Sequence, residues 1–414
     1  MSRQPVDVVM TASDAETEVL VAGAGPTGMT AALALAARGV STTVLEADPA
    51  DRDRPGSRAI YVHKDSLRTL ERSSPGLGRQ LVENGVTWST RRTLFRGEEV
   101  FARSYGSRSG DGLPHFTSIP QVRTETFVLD ALEEAGVGIR WEAAVESVET
   151  GENGVRVETA DGETHRAAYL LGADGAGSTV RKEIGGSFEG SQSENSFLIV
   201  DVDEHPDDPR DHERVFHYDH PDAGGRNVLL VPFQGGWRVD IQCLPEDDPD
   251  RLIEEELEGL VARTLGERYR GRVTWVSEYK FKQVIADRMI DDDRRVLLAG
   301  EAGHLFAPFG ARGMNSGVAD AERAASAIAV ALRADEAAAA GEITEYGIER
   351  LEAARFNKAA ARQALEYLQG QHPATKAKKR AAAELADHWE PAGEWLDDAP
   401  YGPHEGPPVT IGQY

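Results

Sequence analysis

The sequence is poor in several things, and each scarcity excludes something. Cysteine occurs once in 414 residues, at Cys243. An intrachain disulfide framework and a paired-cysteine redox centre are therefore ruled out. Positive charge is scarce: 45 Lys and Arg stand against 70 Asp and Glu, a net charge of −25. Such a field repels nucleic acid and anionic membrane surfaces, so neither is expected as a partner. No apolar run approaches the ~18 residues of a membrane span. The opening segment "MSRQPVDVVMTASDAETE" lacks the long apolar stretch of a signal peptide. A polar, disordered lead-in over residues 1–17 and a cytoplasmic location are the expectation. The histidines show no metal-ligand spacing with cysteine or acidic partners, so no metal is expected. No Ser/His/Asp triad, catalytic carboxylate pair, internal repeat or low-complexity segment stands out.

What is present is organised around glycine. "EVLVAGAGPTGMTAALALAARGVSTTVLEAD" reads as an apolar strand, a glycine turn, an Ala/Leu-rich helix ending at Gly39 and a second strand. This βαβ start implies a parallel sheet buried on both faces. A helix is expected over Thr124–Ala135. Short strands follow, with turns at "ENG" and "ADG", returning to the buried strand "AYLLGAD". From Gly185 the pattern changes. "WRVDIQC" alternates, with Trp237, Val239, Ile241 and Cys243 on one face and Arg238, Asp240 and Gln242 on the other. That is the signature of a half-buried antiparallel strand. A helix near Pro249–Leu265 interrupts this region, and "RRVLLAGEAGH" returns to the parallel sheet. The expected fold class is α/β. A discontinuous Rossmann-like domain (18–184 plus 285–335) carries an inserted antiparallel β-sheet domain (185–284) and a mostly helical C-terminal region (336–414).

Three glycine-rich strand ends carry the chemistry. In "GAGPTG", Gly23, Gly25 and Gly28 have the G-x-G-x-x-G spacing, with Pro26 and Thr27 opening the helix. Gly23 permits the tight turn, Gly25 lets a pyrophosphate approach the backbone, and Gly28 allows close helix–sheet packing. Glu46 ends the next strand, where it can accept from ribose hydroxyls; with no arginine immediately after it, the site suits the adenosine of FAD or NAD. "YLLGADGAGSTVRKEIG" sets Asp174 and Gly175 at a second strand tip, where a ligand contact and a plain loop cap are equally good readings. "LLAGEAGHLFAPFGARGMNSGVADA" sets Gly300 and Glu301 at a third. It continues through Pro308, Gly310, Gly313, Met314 and Asn315 into a helix expected to start near Ser316 or Gly317, whose free amides suit a negatively charged ring edge or oxygen. There is one full dinucleotide fingerprint, so one dinucleotide has a dedicated fold.

These motifs, in order over Val19–Arg323, resemble those of the FAD-dependent aromatic hydroxylases, the single-component flavoprotein monooxygenases of the p-hydroxybenzoate hydroxylase and polyketide hydroxylase type. "SRAIYVHKDSLRTL" and "IPQVRTETFVLDAL" are similar to the segments that bring an arginine, here Arg58, and a glutamine, here Gln121, to the flavin. The resemblance implies FAD as cofactor, NADPH or NADH as transient co-substrate, and O2 adding at flavin C4a. The resulting hydroperoxide would hydroxylate an aromatic or polyketide-like small molecule. It implies that Glu301 reaches the ribityl chain or a phosphate-bridging water, that Gly313, Met314 and Asn315 offer backbone to the isoalloxazine edge, and that Pro308 lines the reacting face. No side chain is then needed as a catalytic acid or base, and His304 reads as a structural histidine. Phe216, Tyr218, Phe233 and Trp237 are candidates to line the substrate space, with core packing the expected role of most. The chain departs from the family pattern at Glu301 (usually aspartate), Ala311 (commonly glycine), Arg312 (commonly neutral) and Asp65 (frequently arginine). A cation at Arg312 would stabilise reduced flavin or face solvent. With the last residue at Tyr414, the thioredoxin-like domain of some larger relatives is not expected. Rival readings are an FAD-dependent reductase that saturates double bonds, a non-catalytic flavin-binding sensor, and a flavin-dependent halogenase. The halogenase is disfavoured by the missing Trp-x-Trp-x-Ile-Pro segment.

Overall fold

A computed structural model describes residues 17–105, 112–151, 154–370 and 372–402, apart from the side chains of 193–195. Residues 1–16 of the expected lead-in, part of the "ENG" turn, and 403–414 of the C-terminal region lie outside the described residues. No described helix is long and apolar enough to cross a membrane.

A five-stranded sheet runs in the order Val296–Leu298, Tyr169–Gly172, Val19–Ala22, Thr42–Leu45, Gly138–Arg140. Every adjacent pair is parallel. The runs "VLVA", "YLLG" and "VLL" are buried at every position, as strands covered on both faces must be. The helix Pro26–Ala36 packs against the helix Arg312–Ala331, and small side chains such as Ala31, Ala32, Ala321 and Ala324 let the two approach closely. The chain builds outward from Val19–Ala22 through Thr42–Leu45 to Gly138–Arg140 on one side, then adds Tyr169–Gly172 and Val296–Leu298 on the other, so the strand order reverses beside Val19–Ala22. The crevice at the carboxyl ends of such a sheet is where a ligand fits.

An eight-stranded sheet faces that crevice. Its order is His304–Leu305, Val273–Ala286, Phe188–Asp203, Gly236–Gln242, Arg226–Phe233, Arg214–His220, Thr90–Phe95, Glu98–Ser104. It is wider than the expected 185–284 insertion, because two strands come from upstream of it and one, His304–Leu305, from downstream. It is also not purely antiparallel: Arg214–Tyr218 runs parallel to Arg91–Phe95. The strand Gly236–Gln242 is buried at all seven positions, so the expectation of a half-buried strand is corrected. Trp237, Val239, Ile241 and Cys243 pack under the helix Leu257–Thr264, while Arg238 and Asp240 face an internal cavity. A polar face pointing at a cavity and one pointing at bulk water have the same sequence pattern.

The helix expected at Thr124 begins at Gln121, and that expected near Ser316 or Gly317 begins at Arg312. The 34-residue helix Glu336–Gln369 starts at Asp335, whose side chain accepts from the Ala338 N–H at 2.9 Å, and ends at a left-handed Gly370. The helices Pro373–Ala386 and Glu390–Asp398 then return the chain to the eight-stranded sheet.

Candidate functional site

One cavity of about 1290 Å³ lies between the two sheets, and all three glycine-rich strand ends open onto it. Single small-molecule sites run to about 300–1,000 Å³. This space is larger than that range.

The first loop is shaped by contacts that only glycine permits. A Cβ on Gly28 would sit 1.9 Å from the Gly23 carbonyl oxygen, and Gly23 itself has φ +98°. Gly25 differs: a Cβ there would meet nothing within 4 Å, because that side is cavity. Pro26 opens the following helix, and no side chain caps it. Its first-turn N–H groups therefore remain for a ligand. Glu46 is buried beside this loop. Its carboxylate accepts from Ala24 N at 2.5 Å and from Asp48 N at 2.9 Å, and Arg52 approaches it to 3.1 Å. The same carboxylate thus ties the turn together and borders the cavity.

At the second strand end, Asp174 accepts from the Ser178 hydroxyl at 2.5 Å and from Val180 N at 3.0 Å. It caps its own loop, as the second reading has it, and lines the cavity with Gly175.

At the third, Gly300 has φ +59°, and a Cβ there would lie 2.6 Å from the Thr27 hydroxyl oxygen. Gly317 meets the same hydroxyl from the other side, so Thr27 locks the first loop to the third. Glu301 projects into the cavity. Its side chain is exposed to that space, yet the protein surrounding it still raises its carboxyl above the usual carboxylate range, opposed by the nearby His304 and Arg58. The loop is held from beneath by Asp320, which is fully buried and accepts from Gly300 N at 2.9 Å, His304 Nε2 at 2.6 Å and Arg350 Nε at 2.5 Å. His304 therefore anchors the loop, as its structural reading required. Glu301→Asp is expected to retain a bound dinucleotide, and Glu301→Ala to weaken it at least tenfold, the scale of about 1.5–3 kcal/mol for one charged hydrogen bond. Equal dissociation constants for both variants and the parent would remove Glu301 from the site.

Beyond Pro308 and Gly310, both lining the cavity, the helix Arg312–Ala331 begins without a side-chain cap. Gly313 and Met314 line the cavity at its first turn. Asn315 does not. Its buried side chain accepts from His63 N at 2.9 Å and the Ser66 hydroxyl at 2.7 Å, and donates to the carbonyls of Tyr61 and Ala311 at 2.8 Å each. It pins the strand Tyr61–His63 to the helix start. Arg312 meets neither solvent nor the cavity. It is 1% exposed, donating to Asn357 Oδ1 at 2.8 Å and to the Tyr401 carbonyl at 3.0 Å. The solvent-facing expectation is thus corrected: it binds the helix start to the long C-terminal helix and the tail. Ala311 carries φ +51°, ψ +40°, a left-handed conformation that costs an L-residue roughly 1–2 kcal/mol. Ala311→Gly is expected to raise unfolding stability by about 1 kcal/mol, after the entropy that glycine adds to the unfolded chain. An unchanged denaturant midpoint would refute the strain.

The segment before the strand Tyr61–His63 is clamped to the eight-stranded sheet. Asp201 accepts from Ser57 N at 2.5 Å and the Ser57 hydroxyl at 2.6 Å, and Arg238 donates to the Arg58 carbonyl. Arg58 is held at φ +51° and lines the cavity with Gln121, whose amide nitrogen donates to Glu125 at 2.8 Å.

Of the four aromatic candidates for the substrate space, Phe216 lines the cavity. Trp237 and Phe233 do not: the Trp237 ring packs in the far core with its Nε1 donating to Glu204 at 2.7 Å, and Phe233 folds over the turn at Gly236. Strand alternation puts both on the wrong side or beyond the cavity's end. Tyr218 shares the face of Phe216 but lies under the C-terminal helices, its hydroxyl donating to the Leu396 carbonyl at 2.8 Å. The cavity wall also uses Trp88, Arg214, Trp275, Tyr279 and Tyr401, which sequence reasoning missed. They come from strands and a tail far apart in sequence. Of the missed polar groups, Arg238 and Asp240 alone carried a signal, the alternate face of "WRVDIQC".

These groups fit a bound FAD. Gly25 leaves bare backbone at the cavity, two uncapped helix starts present amides, and the volume exceeds one small ligand. Comparison with known proteins agrees. A family model described as "FAD binding domain" matches residues 16–361. The chain is 34% identical over 329 residues to a 6-methylpretetramide 4-monooxygenase of Streptomyces rimosus, covering 76% of this chain and 56% of that protein. It is 29% identical to a para-nitrophenol 4-monooxygenase of Pseudomonas sp. strain WBC-3, covering 80% of this chain and 82% of that one. A crystal structure of the p-nitrophenol 4-monooxygenase from Pseudomonas putida DLL-E4 superposes with a TM-score of 0.77 at 24% identity, covering 94% and 99% of the two chains. That likeness concerns the fold. The chain spans between about half and two thirds of the length of the curated relatives it matches first.

Proposed function

Because the chain belongs to this FAD binding domain family, we propose that it is an FAD-dependent monooxygenase using NAD(P)H and O2 to hydroxylate an aromatic or polyketide-like small molecule. The observation that carries the reading is the shared cavity: three glycine-rich strand ends form its floor, and a sheet bearing Phe216, Leu229, Val231 and Trp275 forms its roof. In this reading 18–184 and 285–335 hold the cofactor, and 185–284, with the strands of 90–104, covers the substrate. The helix start at Pro26 and the bare backbone of Gly25 receive the pyrophosphate, and Glu46 the ribose. Glu301 faces the ribityl chain, and Gly313 and Met314 border the flavin edge with Pro308 beside the reacting face. When bound, FAD supplies hydride acceptance from NAD(P)H and activation of O2 for transfer of one oxygen atom. The chain's own groups position the two ligands and exclude water, and no side chain has to supply a nucleophile.

The test is isotopic. Holoenzyme with NAD(P)H and ¹⁸O₂, incubated with a panel of mono- to tetracyclic phenols, is expected to give a product heavier by one ¹⁸O atom. Consumption of NAD(P)H with saturation of a double bond and no label would establish the reductase instead. Bound FAD that NADH and NADPH both fail to reduce would overturn the monooxygenase reading.

A further inference from the structure

The helix Pro373–Ala386 is held to the rest of the chain along one side only. Lys379 is its one buried residue, with Nζ donating to the Leu368 carbonyl at 3.3 Å. Thr375, Ala382, Ala383 and Ala386 are half-buried around it. The other side is open. Ala377, Ala381 and Leu385 follow one another at four-residue spacing and are all exposed. Trp389 continues the line just past the helix end, its backbone N–H donating to the Leu385 carbonyl at 2.8 Å. Residues four apart share one face of a helix. Leu385 is 47% exposed, and Trp389, at 58%, is the most open large apolar side chain among the described residues. Single exposed apolar residues need no explanation, whereas a contiguous stripe marks a contact surface.

The charges beside this stripe are sorted along the helix. Residues 376–380 read "KAKKR", a basic island in a chain of net charge −25. Lys378 lies over the Trp395 ring at 4.4 Å and Lys379 is buried, so both are engaged within the chain. Lys376 and Arg380 are exposed, and so are Glu384, Asp387 and Glu390 further along. Among the described residues, none of these five makes an ion pair within 4.0 Å. Other exposed helices of this chain do pair such charges: Arg251 meets Glu255 at 2.7 Å, and Arg362 meets Glu366 at 2.9 Å. Arg380 and Glu384 have the same spacing and the same order, yet they stay apart.

A helix with a positive first half, a negative second half and an apolar stripe along it is complementary to itself run backwards. A two-fold axis level with Ala383 sets Lys376 opposite Glu390 of a second copy, and Arg380 between its Glu384 and Asp387. It also sets Leu385 opposite Ala381 and Trp389 opposite Ala377, where a methyl group leaves room for a large side chain. Each pairing occurs twice, as a two-fold contact requires. Anywhere else, two chains of net charge −25 would meet acid against acid.

We propose that the exposed face of Pro373–Ala386, with Trp389, is the surface through which two copies of this chain pair, their helices antiparallel about a two-fold axis. The aromatic anchor and the leucine supply the apolar contact, and the sorted charges fix its direction and register. The contact is confined to one helix about 21 Å long, so the dimer is of the transient class, with a dissociation constant on the order of 10 µM.

The experiment is sedimentation velocity of the FAD-loaded full chain between about 0.5 and 200 µM, a range that brackets such a constant. A monomer–dimer equilibrium is expected. Leu385→Ser combined with Trp389→Ser should weaken it at least tenfold, with FAD content unchanged. The direction is tested by charge reversal. Lys376→Glu with Arg380→Glu makes the helix acidic throughout, and Glu384→Lys with Asp387→Lys makes it basic throughout. Each protein alone should be monomeric over the range, and an equimolar mixture of the two should recover the dimer. Both pairs of substitutions put acid toward the helix N-terminus or base toward its C-terminus, so neither weakens the helix. A parent chain that stays monomeric throughout would overturn the proposal and leave this face to a different protein. So would an assembly larger than a dimer, a dimer that survives the Leu385 and Trp389 substitutions, or reversed variants that fail to associate when mixed.

Discussion

Asp320→Ala will destabilise the protein by about 3–5 kcal/mol, the cost of stripping the partner from a buried ion pair. Asp320 and Arg350 are 0% and 1% exposed, and Arg350 Nε lies 2.5 Å from an Asp320 carboxylate oxygen. Removing the carboxylate leaves Arg350 charged in the interior and also frees Gly300 N and His304 Nε2. Asp320→Asn keeps an acceptor for Gly300 but not the charge, so it should lose most of the same stability. Asp320→Glu should recover part of it. Burial works to raise the Asp320 carboxyl, but Arg350, His304 and the Gly300 N–H outweigh it and hold it down at about 2, from an ordinary value of 3.8. A depressed folded-state value means stability that is complete above the unfolded-state value near 4. It is lost as pH falls through about 2, on the order of 2 kcal/mol in total. Denaturant titrations of parent and Asp320→Ala at neutral pH check the first claim; a difference below about 1 kcal/mol would refute it. Repeating them down to the acid limit checks the second, since the variant should lack this part of the pH dependence.

A pair of glycine substitutions should separate scaffold from ligand site. Gly28→Val forces a side chain into the Gly23 carbonyl, 1.9 Å from where its Cβ must go. The obstacle is backbone, so the helix has to move off the strand, and the variant is expected to be insoluble or to lose more than a hundredfold in FAD affinity. Gly25→Ala meets no protein atom within 4 Å, and the backbone there, at φ −80° and ψ 178°, suits any residue. Its stability should therefore stay within about 0.5 kcal/mol of the parent. Its FAD affinity should nevertheless fall at least tenfold, because the added methyl occupies the space where the pyrophosphate approaches the backbone. Fluorescence titration of apoprotein with FAD reads both. An unchanged dissociation constant for Gly25→Ala would move the pyrophosphate elsewhere, and a well-folded, fully flavinylated Gly28→Val would mean that strand and helix are less closely packed than the structure has them.

The parallel sheet and its three glycine-rich tips were legible in the residues alone. The reasons are local. A strand buried on both faces is a continuous apolar run, and a turn through positive φ or a backbone approached within 2–3 Å admits glycine and little else. Gly23, Gly28 and Gly300 each carry that constraint within a few positions of a strand end, so spacing suffices to find them. The helix start at Arg312 was misplaced by several residues because its cap, Ala311, adopts a conformation that its side chain does not announce.

The walls of the cavity were decided by the tertiary structure. "WRVDIQC" reports two faces and not which of them meets water, so Trp237 looked as well placed for a substrate as Phe216. The eight-stranded sheet stacks its Trp237 face on the helix Leu257–Thr264 and turns Arg238 and Asp240 inward. Arg312 looked like a free cation and became a buried tie to Asn357 and Tyr401. Local sterics are written in consecutive residues, whereas the partner of a buried charge is settled by which strands and helices pack together.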